Sequence, residues 1–401
     1  MLGIAFNLTL LGYFKYTDFL IRNINGLSSA SLPLAQIALP LGISFFTFQQ
    51  VAYLIDSYRR EASEYDLLNY LLFVTFFPQL IAGPIVHHRE MMPQFASRRH
   101  LVRRYRNIAT GLFVFAIGLF KKVVLADTFA EWANAGFDTL PTLTMVDAWA
   151  TSLSYSFQIY FDFSGYTDMA IGGALLFNIR LPVNFDSPYK AVDIQDFWRR
   201  WHITLSRFLR EYVYVPLGGN RGGAFRTSVN LGATFLIGGL WHGASWMFVM
   251  WGALHGAALI VQRLWQGAGF RMPTIVAWFL TFNFVNLTWV FFRAQTMDDA
   301  LKVVQGMAGT NGLGLPAPLV DSLAVLDSLG LELRRGVGLM DEVSLAFWML
   351  AAMAIVFARR NSQQLSAAFT ASRLQLLLAA AVFLAGLVYS GGSAEFIYFD
   401  F

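Results

Sequence analysis

None of the 401 residues is cysteine. That absence excludes a disulfide framework, a thiolate metal site, a thiol nucleophile and S-palmitoylation. Charge is scarce as well. Asp, Glu, Lys and Arg make up 13% of the chain, against about 25% in soluble domains, so most of the surface is not built to face water. No low-complexity tract and no repeat of fixed period is visible. No inverted pair of segments stands out, which weakens a transporter reading. The apolar start has no basic leader, so no cleavable signal peptide is expected.

What the chain does contain is apolar: 56% hydrophobic residues, 38 Phe and 11 Trp, with a mean hydropathy of +0.50. This composition suits lipid-facing and interfacial positions. The net charge is +4. The charges lie in short loops between apolar runs, so membrane topology explains the basic balance and nucleic acid does not. The expectation is one all-α, polytopic membrane domain over residues 1–401. It would have about ten transmembrane or re-entrant helices and one amphipathic interfacial helix.

A spanning helix needs roughly 20 mostly apolar residues. Candidate segments are 1–14, 32–55, 66–86, 107–126, 145–162, 164–180, 228–241, 244–262, 274–292, 343–358 and 374–391. Pro40 and Pro84 argue for kinks or re-entrant pieces in two of them. Six arginines in 89–106 mark a cytoplasmic loop by the positive-inside rule. Four acids and no Lys or Arg in 127–147 mark an external one. Eight Lys or Arg in 180–226 return that stretch to the cytoplasm, so 147–180 needs an odd number of crossings. Two apolar runs are visible there, and one is read as re-entrant. Residues 294–340 read as an external loop.

His242 lies within Leu240-Trp241-His242-Gly243-Ala244, deep in apolar sequence. An ionisable group buried in a membrane is costly and is by default a functional candidate. Uncharged imidazole is the form that can act as a general base. A helix beginning just after His242 would set its positive end beside the ring. Gly238, Gly239 and Gly243 leave room for a substrate. The competing reading is a buried histidine bonded to a neighbouring helix.

Residues 193–215 follow another pattern. Ile194, Phe197, Trp198, Trp201, Leu205, Phe208, Leu209 and Tyr212 recur at helical spacing, with Arg199, Arg200, Arg207 and Arg210 opposite. This predicts an amphipathic helix at the membrane surface, capped by Asp193. His202 falls about 80° from the centre of the apolar stripe, where it either points inward or meets headgroups. The glycine-rich 216–223 matches no phosphate-loop fingerprint and reads as a turn.

The remaining histidines show no metal spacing, so no metal is expected. His255, with Gly252 and Gly256, reads as a close helix contact. His87, His88 and His100 are expected to face water on the basic loop. Asp162, Ser164, Tyr166 and Asp168 form a polar island. It is read as structural, at a re-entrant turn, with an ion relay as the alternative.

Several of these motifs together resemble a known family. The runs 76–84 (FFPQLIAGP), 158–168 (QIYFDFSGYTD), 177–189 (FNIRLPVNFDSPY), 196–206 (DFWRRWHITLS), 210–219 (REYVYVPLGG), 239–243 (GLWHG), His255-Gly256 and 396–401 (FIYFDF) are similar to the membrane-bound O-acyltransferases. The similarity is strongest to their bacterial branch in alginate O-acetylation, with relatives in teichoic-acid D-alanylation. The resemblance implies a ring of helices around a central funnel, His242 as the essential histidine and His202 as a second active-site residue. The chain starts later than relatives with additional N-terminal membrane sequence, and it has Asp400 where many have Gln.

The implied reaction moves an acetyl group from a cytoplasmic thioester, acetyl-CoA or a carrier-bound acyl group, toward hydroxyls of an exported polysaccharide. Arg199, Arg200, Arg207 and Arg210 are candidates for holding that donor. No tightly bound cofactor is expected. The implied partners are the bilayer, an extracytoplasmic acetyltransferase, polysaccharide export machinery and an acyl-carrier protein, in a bacterial inner membrane. Two alternatives stand beside it: a D-alanyl or lipid acyltransferase, and an ion-coupled transporter using Asp162 and Asp168.

Overall fold

Glycines let two long helices meet backbone to backbone. α6 (Tyr105–Phe120) continues through a π-helical segment (Lys121–Ala126) into α7 (Asp127–Asn134), and α8 (Met145–Leu176) returns beside it. A Cβ at Gly118 would lie 2.6 Å from the Gly165 carbonyl oxygen, and one at Gly111 2.6 Å from that of Gly172. Both helices therefore need glycine for their backbones to touch. The computed structural model describes residues 1–28, 30–61, 66–81, 83–314, 342–392 and 396–397. Among these residues there are helices and no strands.

The order is α1 (Leu2–Leu11), a π turn (Gly12–Tyr16), α2 (Thr17–Leu27), α3 (Ile43–Tyr58), α4 (Leu67–Thr75) and α5 (His88–Phe95), then the α6–α8 hairpin. There follow α9 (Ile194–Arg200), α10 (Ile203–Leu209), a π segment (Arg210–Tyr214), α11 (Gly223–His242), α12 (Trp246–Gly267), α13 (Thr274–Arg293) and α14 (Met297–Met307). α15 (Glu342–Met353), α16 (Ser362–Ala367) and α17 (Arg373–Tyr389) complete the described chain. Among the described residues three helices are long and apolar enough to cross a membrane: Tyr105–Thr139, Trp246–Gly267 and Thr274–Arg293. Leu374, Leu377 and Val388 of α17 are among many large apolar side chains left exposed, as expected where lipid replaces water.

Several expectations change. The two runs in 145–180 are one helix of 32 residues, about 48 Å long, with no re-entrant turn at the polar island. Its acids are paired instead: Asp162 with Lys122 at 3.0 Å and Asp168 with Lys121 at 2.9 Å. The acidic loop predicted over 127–147 is helical to Thr139, and Lys122 also holds Asp127 at 2.6 Å. Segments 32–55 and 66–86 contain helix only from Ile43 and over Leu67–Thr75, as Pro40 and Pro84 suggested. Within 294–340, α14 replaces the first part of the predicted loop, its start fixed by a Thr296–Asp299 capping box; residues 315–340 lie outside the described residues.

The surface helix is also different. It breaks at Trp201–His202, and its apolar stripe packs into the protein core rather than lipid. Asp193 does cap α9, accepting from the Asp196 amide at 2.7 Å. Residues 216–222 form turns with Gly218 and Gly222 at φ of 114° and 95°, a conformation open to glycine. His87 and His88 are buried, at 7% and 5% exposure, not turned to water. His100 donates from Nδ1 to the Asn178 carbonyl at 2.7 Å. Since a carbonyl only accepts, that nitrogen carries the proton. Tyr212 donates to Asp56 Oδ2 at 2.8 Å; burial, reinforced by Asp56, pushes its phenol above the ordinary range and keeps it a donor.

Candidate active site

Trp241 is the centre of the site. Its ring centroid lies 4.9 Å from that of His242, 6.2 Å from His202, 5.2 Å from Phe45 and 4.9 Å from Phe48, on which it stacks. The two leading histidine candidates, 40 positions apart in the sequence, thus flank one indole. Trp251 and Phe292 close around His242 edge-on at 5.0 and 5.1 Å. His242 is 3% exposed and His202 is fully buried.

His202 reaches this position because the chain bends at it. Its φ is +42°, in the left-handed region that costs a non-glycine residue roughly 1–2 kcal/mol. The bend separates α9 from α10 and turns the ring inward, so the wheel angle drawn for a continuous helix does not apply. Nδ1 meets Asn184 Oδ1 at 3.1 Å, and the same oxygen accepts from the Thr204 amide at 3.2 Å and its hydroxyl at 3.0 Å. An oxygen taking an amide proton is an acceptor, so His202 Nδ1 must donate. In the neutral ring Nε2 then carries the lone pair, the feature a base requires.

His242 is the last residue of α11, and α12 begins only at Trp246. The ring therefore sits at a helix C-terminus, the reverse of the helix start expected from sequence. The last carbonyls of α11 are held from the first helices. Lys15 Nζ donates to the Trp241 and His242 carbonyls, the latter at 3.2 Å, and to Ser44 Oγ at 2.9 Å. Tyr16 donates to the Leu240 carbonyl at 2.5 Å. Cationic side chains are suited to this task at helix ends. Lys15 lies on the π turn between α1 and α2, a feature frequent at functional sites.

His255 is of another kind. Nδ1 accepts from Trp198 Nε1 at 3.2 Å, and Nε2 donates to Thr288 Oγ1 at 3.0 Å, whose own proton goes to the Val285 carbonyl. Both ring nitrogens are used structurally. Gly252 and Gly256 lie at the close α11–α12 contact, as the sequence indicated.

A cleft of about 640 Å³ approaches the site. Lys15, Asp18, Arg22, Ala244, Ser245 and Trp246 are among its lining residues. It touches the residue that anchors His242 and the segment directly after it, while the His242 ring is not part of its wall. Of the four arginines, Arg200 pairs with Asp196 at 2.8 Å and Arg207 forms a two-pronged pair with Glu90. Arg199 is exposed, and Arg210 is largely exposed beside Glu211.

The order of these motifs has a counterpart among known proteins. The sequence model of the membrane-bound O-acyltransferase family matches residues 11–297. The chain belongs to that family. The match takes in Lys15, His202, His242 and His255, and it makes this a membrane protein. The chain is similar to the peptidoglycan O-acetyltransferase of Helicobacter pylori, 56% identical over 79% of this chain and 65% of that protein. It is similar to the probable alginate O-acetylase AlgI of Pseudomonas aeruginosa, 43% identical over 77% of this chain and 59% of that one. The teichoic acid D-alanyltransferase of Streptococcus thermophilus is 28% identical over 64% of this chain and 69% of that protein. The chain thus spans about three fifths to two thirds of the length of the two O-acetylation relatives.

The sequence singles out both histidines of this cluster and passes over Lys15 and Asn184, which contact them. Lys15 carried a signal, a lone cation inside an apolar start. Asn184 carried none outside the resemblance, because its role depends on a bend 18 residues later.

Proposed function

We propose that this protein is a multi-pass enzyme of the bacterial inner membrane that moves an acetyl group from a cytoplasmic thioester to hydroxyls of an exported glycan. In this reading the α6–α8 hairpin, α11–α13 and the shorter apolar helices surround a central funnel, with about ten crossings or re-entrant pieces. The observation that carries it is the placement of two buried histidines against one indole, Trp241, in a chain of this family.

The chemistry follows from what a hydroxyl needs. As its oxygen attacks the thioester carbonyl, His242 takes the hydroxyl proton. The tetrahedral intermediate collapses, the carbon–sulfur bond breaks, and the thiolate leaves to be protonated as a thiol. The products are an O-acetyl ester and free thiol. His202, oriented by Asn184, assists by positioning donor or acceptor. The exposed Arg199 suits the phosphates of acetyl-CoA or an acidic carrier, and so does the exposed Arg210, which has Glu211 beside it at 3.4 Å; Arg200 and Arg207 are tied to carboxylates in less exposed positions. An extracytoplasmic transferase and export machinery complete the pathway in this reading.

The acetylating relatives differ in their named acceptors, peptidoglycan and alginate, so the acceptor is proposed as an exported glycan. A D-alanyl transferase is the second reading, favoured by the more distant relative. The transporter reading has lost its motive, because Asp162 and Asp168 each hold a lysine. The test is expression of the full-length protein in a host deleted for its own copy, with mass spectrometry of the base-released acyl groups on the envelope glycans. Acetate that depends on the gene supports the proposal. D-alanine in its place moves the protein to the second reading, and no ester at all removes both.

A further inference from the structure

A second buried polar cluster lies apart from the Trp241 site. Asp56 stands in the last turn of α3; His87 and His88 begin α5. All three are buried, Asp56 completely. Asp56 Oδ2 lies 3.3 Å from His87 Nε2 and 3.4 Å from His88 Nδ1, and one ligand-type atom from each of the three residues falls within 4.8 Å of the others.

Protons account for the His87 side, where Tyr212 donates to Asp56 Oδ2 and its oxygen accepts from His87 Nε2, but not for the His88 side. His88 Nε2 faces the Glu61 carbonyl at 3.5 Å, and a carbonyl only accepts, so Nε2 carries the hydrogen. In a neutral ring Nδ1 is then a lone pair, and it faces a carboxylate oxygen. Nδ1 has no hydrogen-bond partner, and neither do Asp56 Oδ1 or His87 Nδ1. Buried polar atoms without partners are rare. Two lone pairs turned toward each other call for a positive charge between them.

The distances say what kind. A tetrahedral ion with bonds of about 2.05 Å holds its ligand atoms about 3.3 Å apart, whereas an octahedral ion with the same bonds holds neighbours about 2.9 Å apart. Two of the three edges, 3.3 and 3.4 Å, match the tetrahedral case. Two imidazoles and one carboxylate suit zinc or a similar first-row ion better than magnesium or calcium. Supporting contacts of the expected sort are present: the Glu61 carbonyl on His88, and the Tyr212 hydroxyl, which donates to Asp56 Oδ2. Such contacts orient metal ligands.

We propose that Asp56, His87 and His88 bind one divalent transition-metal ion, with zinc the best fit. The ion ties the end of α3 and the start of α5 together. Through Tyr212 it holds the helix that leads out of the His202 bend. Its role is structural, since its ligands are not among the residues around Trp241. When the ion enters, the longest ligand separation, up to 4.8 Å, closes by side-chain rotation, and the His87 proton passes from Nε2 to Nδ1, which has no other partner.

The experiment uses the full chain purified in detergent without a histidine tag, stripped with chelator and dialysed against micromolar zinc chloride. Elemental analysis is expected to give about one zinc per chain, and cobalt in its place gives the intense visible bands of a tetrahedral site. His88→Ala and Asp56→Asn are expected to weaken zinc binding by at least about 100-fold, and Tyr212→Phe by about 10-fold; His100→Ala leaves it unchanged. Zinc raises the unfolding temperature of the wild type and not of His88→Ala. If those two variants do not fold, the cobalt spectrum of folded wild type decides alone. A folded wild type without zinc or tetrahedral bands overturns the proposal and leaves a shared proton on His88 as the bridging charge. Equal zinc in wild type and the folded variants overturns it as well.

Discussion

The α6–α8 hairpin and the α11–α12 hairpin are built by the same device and put to different uses. In both, glycines bring backbones into contact: Gly118 against Gly165 in the first, Gly239 and Gly252 against Phe248 and Phe235 in the second. Both bury ionisable side chains. In the first, each buried charge is answered by an opposite one, Lys121 by Asp168 and Lys122 by Asp127 and Asp162. In the second, the buried groups are histidines among aromatic rings. Paired charges fix a frame, because removing either partner would leave an uncompensated buried ion. An imidazole can pass between charged and neutral at modest cost and so can take part in a reaction. The tail belongs to the frame: Phe396 stacks on Tyr166, and the Ile397 amide donates to Asp162 Oδ2 at 3.0 Å. Asp400 lies outside the described residues.

The largest effect that would test this contrast is loss of the frame itself. Gly118→Leu drives carbon into the Gly165 carbonyl and is expected to abolish stably inserted protein, while Gly173→Ala, with nothing within 4 Å, is tolerated; membrane fractionation and size-exclusion profiles compare them. Next is Lys122→Met, which leaves Asp162 buried and unanswered. It should cost about 3–5 kcal/mol in thermal unfolding, with acyl transfer per folded molecule retained. A large loss of turnover in well-folded Lys122→Met would move this hairpin into the reaction. Third, Asn184→Leu removes the acceptor that fixes His202. Turnover is expected to fall about 100-fold, with a much smaller change in donor KM. A lowered melting temperature with unchanged turnover would make His202 a packing residue. The smallest is Gly222→Ala, at about 1 kcal/mol for its left-handed backbone, with no change in donor affinity. A rise in donor KM there would turn a plain turn into a phosphate cradle.

How much was legible in the sequence follows the range of the forces involved. The helices around His242, the His255 contact, the Asp193 cap and the 216–222 turn were legible, because periodicity, glycine and capping act within a few residues. The 145–180 stretch was misread because its polar island is satisfied by Lys121 and Lys122, some 40 positions earlier. The bend at His202 was invisible, since nothing local announces a positive φ at a histidine held by Asn184. His87 and His88 read as loop residues because Asp56, which faces them, lies about 30 positions upstream on another helix.

The central claim is that His242 takes the hydroxyl proton during acyl transfer. Its most direct test is the amount of ester-linked acetate on envelope glycans per inserted molecule of His242→Ala, in cells lacking the native copy. The account predicts none above the deletion background, with insertion and unfolding temperature close to wild type. Acetate at the wild-type level in that variant would contradict it.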